Sequence, residues 1–239
     1  MSKGSEPQYI LSGDDSILVK FGEEIDSKIN SKVLSLSSYL SNNKIPDIKD
    51  FTVGYSTVLI FYDSLNISHY LFLKKIREIV TKKLKKNKIY DQKVVEIPVL
   101  YSKEFGLDLD SVSNQTGLIV EEIIRLHTNK EYIVYTMGFT PGFPYLGGLD
   151  KKLAVPRLKK PRIKVEKGSV GITGTQTGIY PIESPGGWNI IGRTPIELFN
   201  SNSDSPSILK PGDKVKFFEI TTFDEFDQIN QFEKKNKKS

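Results

Sequence analysis

The chain has 239 residues, 38% hydrophobic and 26% charged, a balance that suits one or two globular domains and excludes a disordered polymer. It contains no cysteine and two histidines, which rules out disulfides and thiolate chemistry and leaves too few imidazoles for a multi-histidine metal centre. Net charge is +5, no stretch approaches the roughly 20 apolar residues of a membrane-spanning helix, and the N-terminus lacks a secretory apolar core, so a cytoplasmic protein is expected.

In chain order, residues 8–11 and 17–21 read as strands around the turn Ser12-Gly13-Asp14-Asp15. Residues 24–40 place Ile25, Ile29, Val33, Leu36 and Leu40 at helical spacing, and Pro46 ends that pattern. Residues 51–53 and 58–62 form a second strand pair, and Ser68 is the expected N-cap of a helix running to Lys86. With 94–100 as a closing strand the order is strand-helix-strand-strand-helix-strand, which is ferredoxin-like. Helices are expected at 107–114 and 118–126, the second capped by Thr116. From Glu131 onward, short β-rich pieces (132–137, 170–172, 189–191, 215–218) alternate with glycine and proline, the texture of a β-barrel or sandwich. The predicted domains are 1–93 and 94–222, followed by a polar, disordered tail at 223–239. The lysines of 74–93 form the solvated back of a helix without interleaved exposed aromatics, so neither nucleic acid nor membrane is an expected partner.

Residues 138–195 carry the functional signal. They include Gly138-Phe139-Thr140-Pro141-Gly142-Phe143-Pro144-Tyr145, Gln176-Thr177-Gly178-Ile179-Tyr180-Pro181, Ser184-Pro185-Gly186-Gly187-Trp188 and Gly192-Arg193-Thr194-Pro195. Ser184-Pro185-Gly186-Gly187 suits a type II turn, and Phe143-Pro144 is a candidate cis bond. Turns at Gly142, Gly186 and Gly187 would aim backbone N–H groups into one concavity, walled by Phe139, Phe143, Tyr145, Tyr180 and Trp188. Arg157, Arg162 and Arg193 would supply forks for carboxylate or phosphate. Barrel corners also use glycine and proline for shape alone, and aromatics on short strands also fill cores. Arg193 reads either as an anion-binding or interface residue or as an ion-pair partner of Glu183 or Glu197. His127 reads either as a charge at a helix C-terminus or as a general acid/base. No G-x-x-x-x-G-K-[ST] occurs, since Gly148 stands where Gly142 and Gly147 would need lysine, and G-x-S-x-G is absent too.

These motifs resemble those of the 5-oxoprolinase B-subunit family, also called allophanate hydrolase subunit 1 or the KipI kinase-inhibitor family. The resemblance extends to Val95-Glu96-Ile97-Pro98-Val99, Glu104-Phe105-Gly106-Leu107-Asp108-Leu109, Ile124-Arg125-Leu126-His127, Leu153-Ala154-Val155-Pro156-Arg157 and Leu209-Lys210-Pro211-Gly212-Asp213. Thr175 departs from it, standing where glycine is expected. The resemblance implies an α+β protein, with an N-terminal ferredoxin-like α/β domain followed by a C-terminal cyclophilin-like β-barrel. It implies the homologous 5-oxoprolinase C subunit as direct partner, an A subunit of another fold, and ATP with Mg bound on or across one of these partners. The implied reaction opens 5-oxo-L-proline to L-glutamate, with Gln176 and Thr177 offering the donors and acceptors a lactam needs. The alternative it implies is an inhibitor that binds a sporulation-type sensor histidine kinase. Prolyl isomerisation does not follow from a shared barrel.

Overall fold

Two hairpins and two helices build the first of two units into which the chain divides, Met1–Gln92 and Lys93–Ser239. The computed structural model describes residues 6–84 and 93–236. Strands β1 (Gln8–Leu11) and β2 (Ser16–Lys20) pair through the short turn between them. Helix α1 (Ser27–Asn42) starts where the Asp26 carboxylate accepts the Lys28 and Ile29 amides, satisfying two free helix-end donors. Strands β3 (Ile48–Val53) and β4 (Thr57–Tyr62) follow, then helix α2 (His69–Glu78), which continues as a π-helical turn over Ile79–Lys83. Ser68 occupies the N-cap position without a side-chain bond, and the expected run to Lys86 leads outside the described residues. Alternation puts Ile17 and Val19 of β2 and Val58, Ile60 and Tyr62 of β4 on one face. Val33, Leu36 and Leu40 of α1 and Phe72 and Ile76 of α2 join them in one core.

The sheet order is β1-β2-β4-β3, all antiparallel, which is the ferredoxin-like arrangement with one difference from expectation. The place of the closing strand is taken by β1, not by residues 94–100. A short hairpin closes at small entropic cost, whereas β5 (Val94–Leu100) pairs along its whole length elsewhere.

In the second unit, α3 (Leu109–Thr116) and α4 (Val120–Thr128) follow β5. Thr116 belongs to the end of α3, where its hydroxyl donates to the Val112 carbonyl, and Ile119 holds the N-cap position of α4. Then come β6 (Glu131–Met137), β7 (Pro144–Gly147), β8 (Arg162–Val165), β9 (Ser169–Thr173), β10 (Gln176–Ile179), β11 (Ser184–Gly186), β12 (Asn189–Arg193) and β13 (Lys214–Ile220). Six of these and β5 close a cyclophilin-like barrel in the order β10-β7-β6-β13-β5-β12-β9, and β8 and β11 form a separate ribbon. Closure depends on β13, which runs parallel to β5 and antiparallel to β6. The largest core, with Ile97, Val99, Val134, Leu146, Ile172 and Phe217, lies on the inner face of these strands.

The segment expected to be a disordered tail is instead helix α5 (Phe223–Asn236) as far as it is described. Its start is a capping box: the Thr222 hydroxyl accepts the Glu225 amide, and the Glu225 carboxylate accepts the Thr222 and Thr221 amides. Phe226 and Ile229 then pack on Leu100, Phe105 and Ile220, so the apolar residues give this charged segment a surface to fold against.

Candidate functional site

Phe143, Tyr180 and Trp188, with Val165 and Ile190, form a second apolar cluster, against which Tyr145 packs. It lies on the opposite face of β9 and β10 from the main core. Thr177 and Ile179 point inward, so Gln176 and Gly178 point outward. Gly178 leaves the space for Phe143, because a Cβ there would lie 2.9 Å from the Pro144 carbonyl oxygen and 3.0 Å from the Phe143 ring. The rings meet edge to face: Phe143 with Tyr180 at 5.1 Å and with Trp188 at 5.5 Å between centroids. Ser184–Gly186 is strand β11 and Gly186 lacks positive φ, so the expected type II turn is not there. Glycine is required at 186 because the Tyr180 hydroxyl sits where a Cβ would be. Gly142 has φ +83 and packs on Phe199, Gly187 accepts the Leu158 amide at 2.8 Å, and Phe143-Pro144 is trans.

Phe139 is the exception to burial, 61% exposed at the edge of this cluster. Its φ is +67, and the Thr140 amide donates 2.8 Å to the Gly138 carbonyl across it, which makes a γ-turn of the rare, strained hand. A non-glycine residue held this way costs on the order of 1–3 kcal/mol, and such strain gathers at working surfaces. Arg157 is exposed and close enough to favour the ionised forms of Tyr145 and Tyr180, although burial outweighs it and raises both phenols. Gln176 is only 8% exposed and its Nε2 donor has no acceptor among the described residues, an uncommon state for a buried amide.

His127 lies away from this face, 0% exposed, stacked on Phe217 and tilted against Tyr132. The Thr177 hydroxyl donates to the Gly171 carbonyl at 3.1 Å, so it accepts from His127 Nε2 at 2.9 Å. That fixes the tautomer, and the Tyr101 hydroxyl donates to His127 Nδ1 at 2.7 Å. Burial lowers the imidazole pKa from 6.5 to about 3. The expected acid/base role, and equally the expected helix-end charge, do not fit a neutral ring with both nitrogens engaged. Thr177, expected beside Gln176 at a ligand, belongs to this inner network on the other side of β10.

The three arginines separate. Arg162 Nη2 donates to Asp108 at 2.7 Å, and the other Asp108 oxygen accepts the Ile190 amide at 2.7 Å, which ties β8 to β12. Arg193 rests over Phe105, its guanidinium carbon 4.5 Å from the ring centroid, and Phe105 in turn meets Phe223 and Phe226 of α5. Its Nε is buried without a hydrogen-bond partner among the described residues, and burial lowers its pKa. Of the two carboxylates expected as its ion-pair partners, Glu183 pairs with Lys164 and Glu197 with Lys167. Only Arg157 stays with the aromatic face and free of an ion pair among the described residues. Tyr101 and Asp108 emerge as structural polar residues to which no role was assigned from sequence. An acid between two leucines at a helix start was the available signal for Asp108.

Residues 7–209 match the family model described as "Carboxyltransferase domain, subdomain C and D". The chain is 39% identical over 221 residues to the 5-oxoprolinase B subunit of Bacillus subtilis, covering 89% of this chain and 92% of that protein. The chain belongs to the 5-oxoprolinase B-subunit family. Two solved structures resemble it along most of its length. The protein TTHA0988 superposes with a TM-score of 0.75 at 35% identity, covering 87% of this chain but 40% of that longer one. PH0987 of Pyrococcus horikoshii is 44% identical, with a TM-score of 0.54, covering 92% of this chain and all of that one. Among the described residues no helix is long and apolar enough to cross a membrane, and no group of three or more His, Asp or Glu side chains could hold a metal ion.

Proposed function

We propose that this chain is the B subunit of an ATP-dependent 5-oxoprolinase and that the outer aromatic face of its barrel forms one wall of the lactam site. The observation that carries the reading is the Gln176 amide, sequestered and without an acceptor among the described residues, on the outer face of the barrel, where Tyr145 lies within electrostatic reach of Arg157. A five-membered lactam presents a flat apolar edge, a carbonyl oxygen and, in 5-oxoproline, a carboxylate. An aromatic wall, an N–H donor and a guanidinium answer those three groups. The relative from Bacillus subtilis supports the substrate class by its name, and the match to 40% of TTHA0988 supports a working unit larger than this chain.

In this reading ATP, when bound, supplies the phosphoryl group that makes an otherwise poor amide carbonyl electrophilic. The residues of this chain bind and orient: Arg157 fixes the carboxylate, Tyr145 and the rings behind it set the plane of the lactam, and Gln176 Nε2 donates to the carbonyl oxygen. Fixing these groups together is the main catalytic gain open to a chain without its own nucleophile. Arg193 is left with a packing or interface role at Phe105, and His127 with holding β10.

The test is glutamate release from 5-oxoproline and ATP by this chain with the C and A subunits, omitting each in turn. Gln176→Ala is expected to lower kcat/KM by roughly 10- to 100-fold with the complex intact. Full activity in Gln176→Ala would remove the amide from the site. A stable complex that releases no glutamate would turn attention to the exposed Phe139 and Ile163 as a docking surface for a sensor kinase.

A further inference from the structure

The positive charge of the chain is concentrated beside the aromatic face. Between Lys151 and Lys167 there are eight lysines and arginines and one glutamate, a larger excess than the net +5 of the whole chain. Residues 154–161 are not regular structure, yet their backbone is pinned at several points. The Val155 carbonyl accepts the Gly174 amide at 2.7 Å, and the Pro156 carbonyl accepts Asn189 Nδ2 at 2.8 Å. The Leu158 amide donates to Gly187, and a Cβ at Gly187 would meet the Pro161 ring at 3.5 Å. Leu153 and Val155 are buried in the core, while Arg157, Lys159 and Lys160 project into solvent. The strap is therefore anchored through its apolar residues and backbone, and it displays three cations with no ion pair among the described residues. Its neighbours Lys164 and Lys167 are neutralised by Glu166, Glu183 and Glu197, so lack of carboxylates nearby does not explain the difference.

A second feature lies on the same face. Phe139 stands exposed on its strained γ-turn, in edge contact with Phe143 and Tyr180. Tyr180 packs against Gly186, and Gly187 carries the strap, so a short series of contacts links the exposed ring to the cations. A flat apolar surface at one end and a row of unpaired cations at the other match a ligand with an aromatic ring and several phosphates.

We propose that this face takes a nucleoside triphosphate, its phosphates on Lys159 and Lys160 and its base against Phe139, with Arg157 left to the lactam carboxylate. The choice of a nucleotide over other polyanions rests on the reading of the chain as part of an ATP-dependent enzyme. The geometry of Phe139 and the strap stands independently of the lactam. With no P-loop in the sequence, side chains on a rigid strap replace the usual backbone cradle.

Trp188 is the sole tryptophan and sits in the ring cluster, so its emission reports on this face alone. The experiment is titration of the full-length chain with ATP, with inorganic triphosphate and with 5-oxoproline, following Trp188. ATP is expected to give a saturable change that inorganic triphosphate competes away. Lys159→Glu/Lys160→Glu is expected to weaken ATP and triphosphate by about tenfold or more, less so as ionic strength rises, and to leave the 5-oxoproline response intact. Phe139→Ala is expected to weaken ATP but not triphosphate. Absence of saturable ATP binding, or ATP affinity unchanged by the charge reversal, overturns the proposal. So does a reversal that spares ATP and abolishes association with the C subunit, which would make the strap a docking surface for an acidic protein. ATP binding without any 5-oxoproline response would sink the lactam reading and leave this one standing.

Discussion

His127 has both ring nitrogens engaged by hydroxyls and is packed against Phe217 and Tyr132, so protonating it breaks the bond from Tyr101 and buries a charge. The folded pKa of about 3 lies below the unfolded value near 6.5. The unfolded chain therefore takes up the proton first. The stabilising contribution is complete above about pH 6.5 and is lost as the pH falls toward about 3, at up to about 1.4 kcal/mol per pH unit. His127→Gln keeps a donor and an acceptor but cannot be protonated, so its stability is expected to fall less steeply across that window. Urea midpoints read from Trp188 at a series of pH values test this, and parallel profiles for the two proteins would refute it. The sequence placed His127 at a helix end, which holds. Its partners lie 26 and 50 residues away, and no local pattern could have named them.

At the scale of elements, β10 shows how alternation assigns roles. Adjacent residues Gln176 and Thr177 looked like one polar pair in the sequence, but a strand sends them to opposite faces, one to the aromatic surface and one to His127. The glycines of this region were legible as special, and the reason was read wrongly where it depends on distant rings. Gly186 is small because of Tyr180, not because of a turn. Gly178→Ala tests the same principle. Its Cβ would press on the Pro144 carbonyl and the Phe143 ring, so a loss of about 1–3 kcal/mol and an altered near-UV signal from Trp188 are expected. Unchanged stability would mean that the ring cluster yields easily, which would weaken its claim to be a preformed wall. Helix α5 was legible too, since Thr222-x-x-Glu225 is a capping box before Phe226 and Ile229. Its charge obscured the signal.

Barrel closure is the property of the whole second unit that sequence texture could suggest but not specify. The strands were visible as short β-rich runs. The parallel register that joins β5 to β13 was not, because it brings residue 94 beside residue 214. The family match ends at residue 209, before β13 begins, yet Val215 and Phe217 belong to the main core and β13 bridges β5 and β6. A chain ending at Leu209 therefore keeps the matched region but leaves both strands with unpaired edges and a gap in the core. A chain ending at Ile220 keeps the barrel and loses only α5, exposing Leu100, Phe105 and Ile220. The second truncation is expected to fold with stability lower by about 3 kcal/mol, the cost typical of removing a buried phenylalanine. The first is expected to show no cooperative unfolding and a solvent-exposed Trp188 emission. Denaturant titrations of the two chains decide the matter. Cooperative unfolding of the chain ending at Leu209 would show that six strands hold the core without β13, and that closure of the barrel is dispensable.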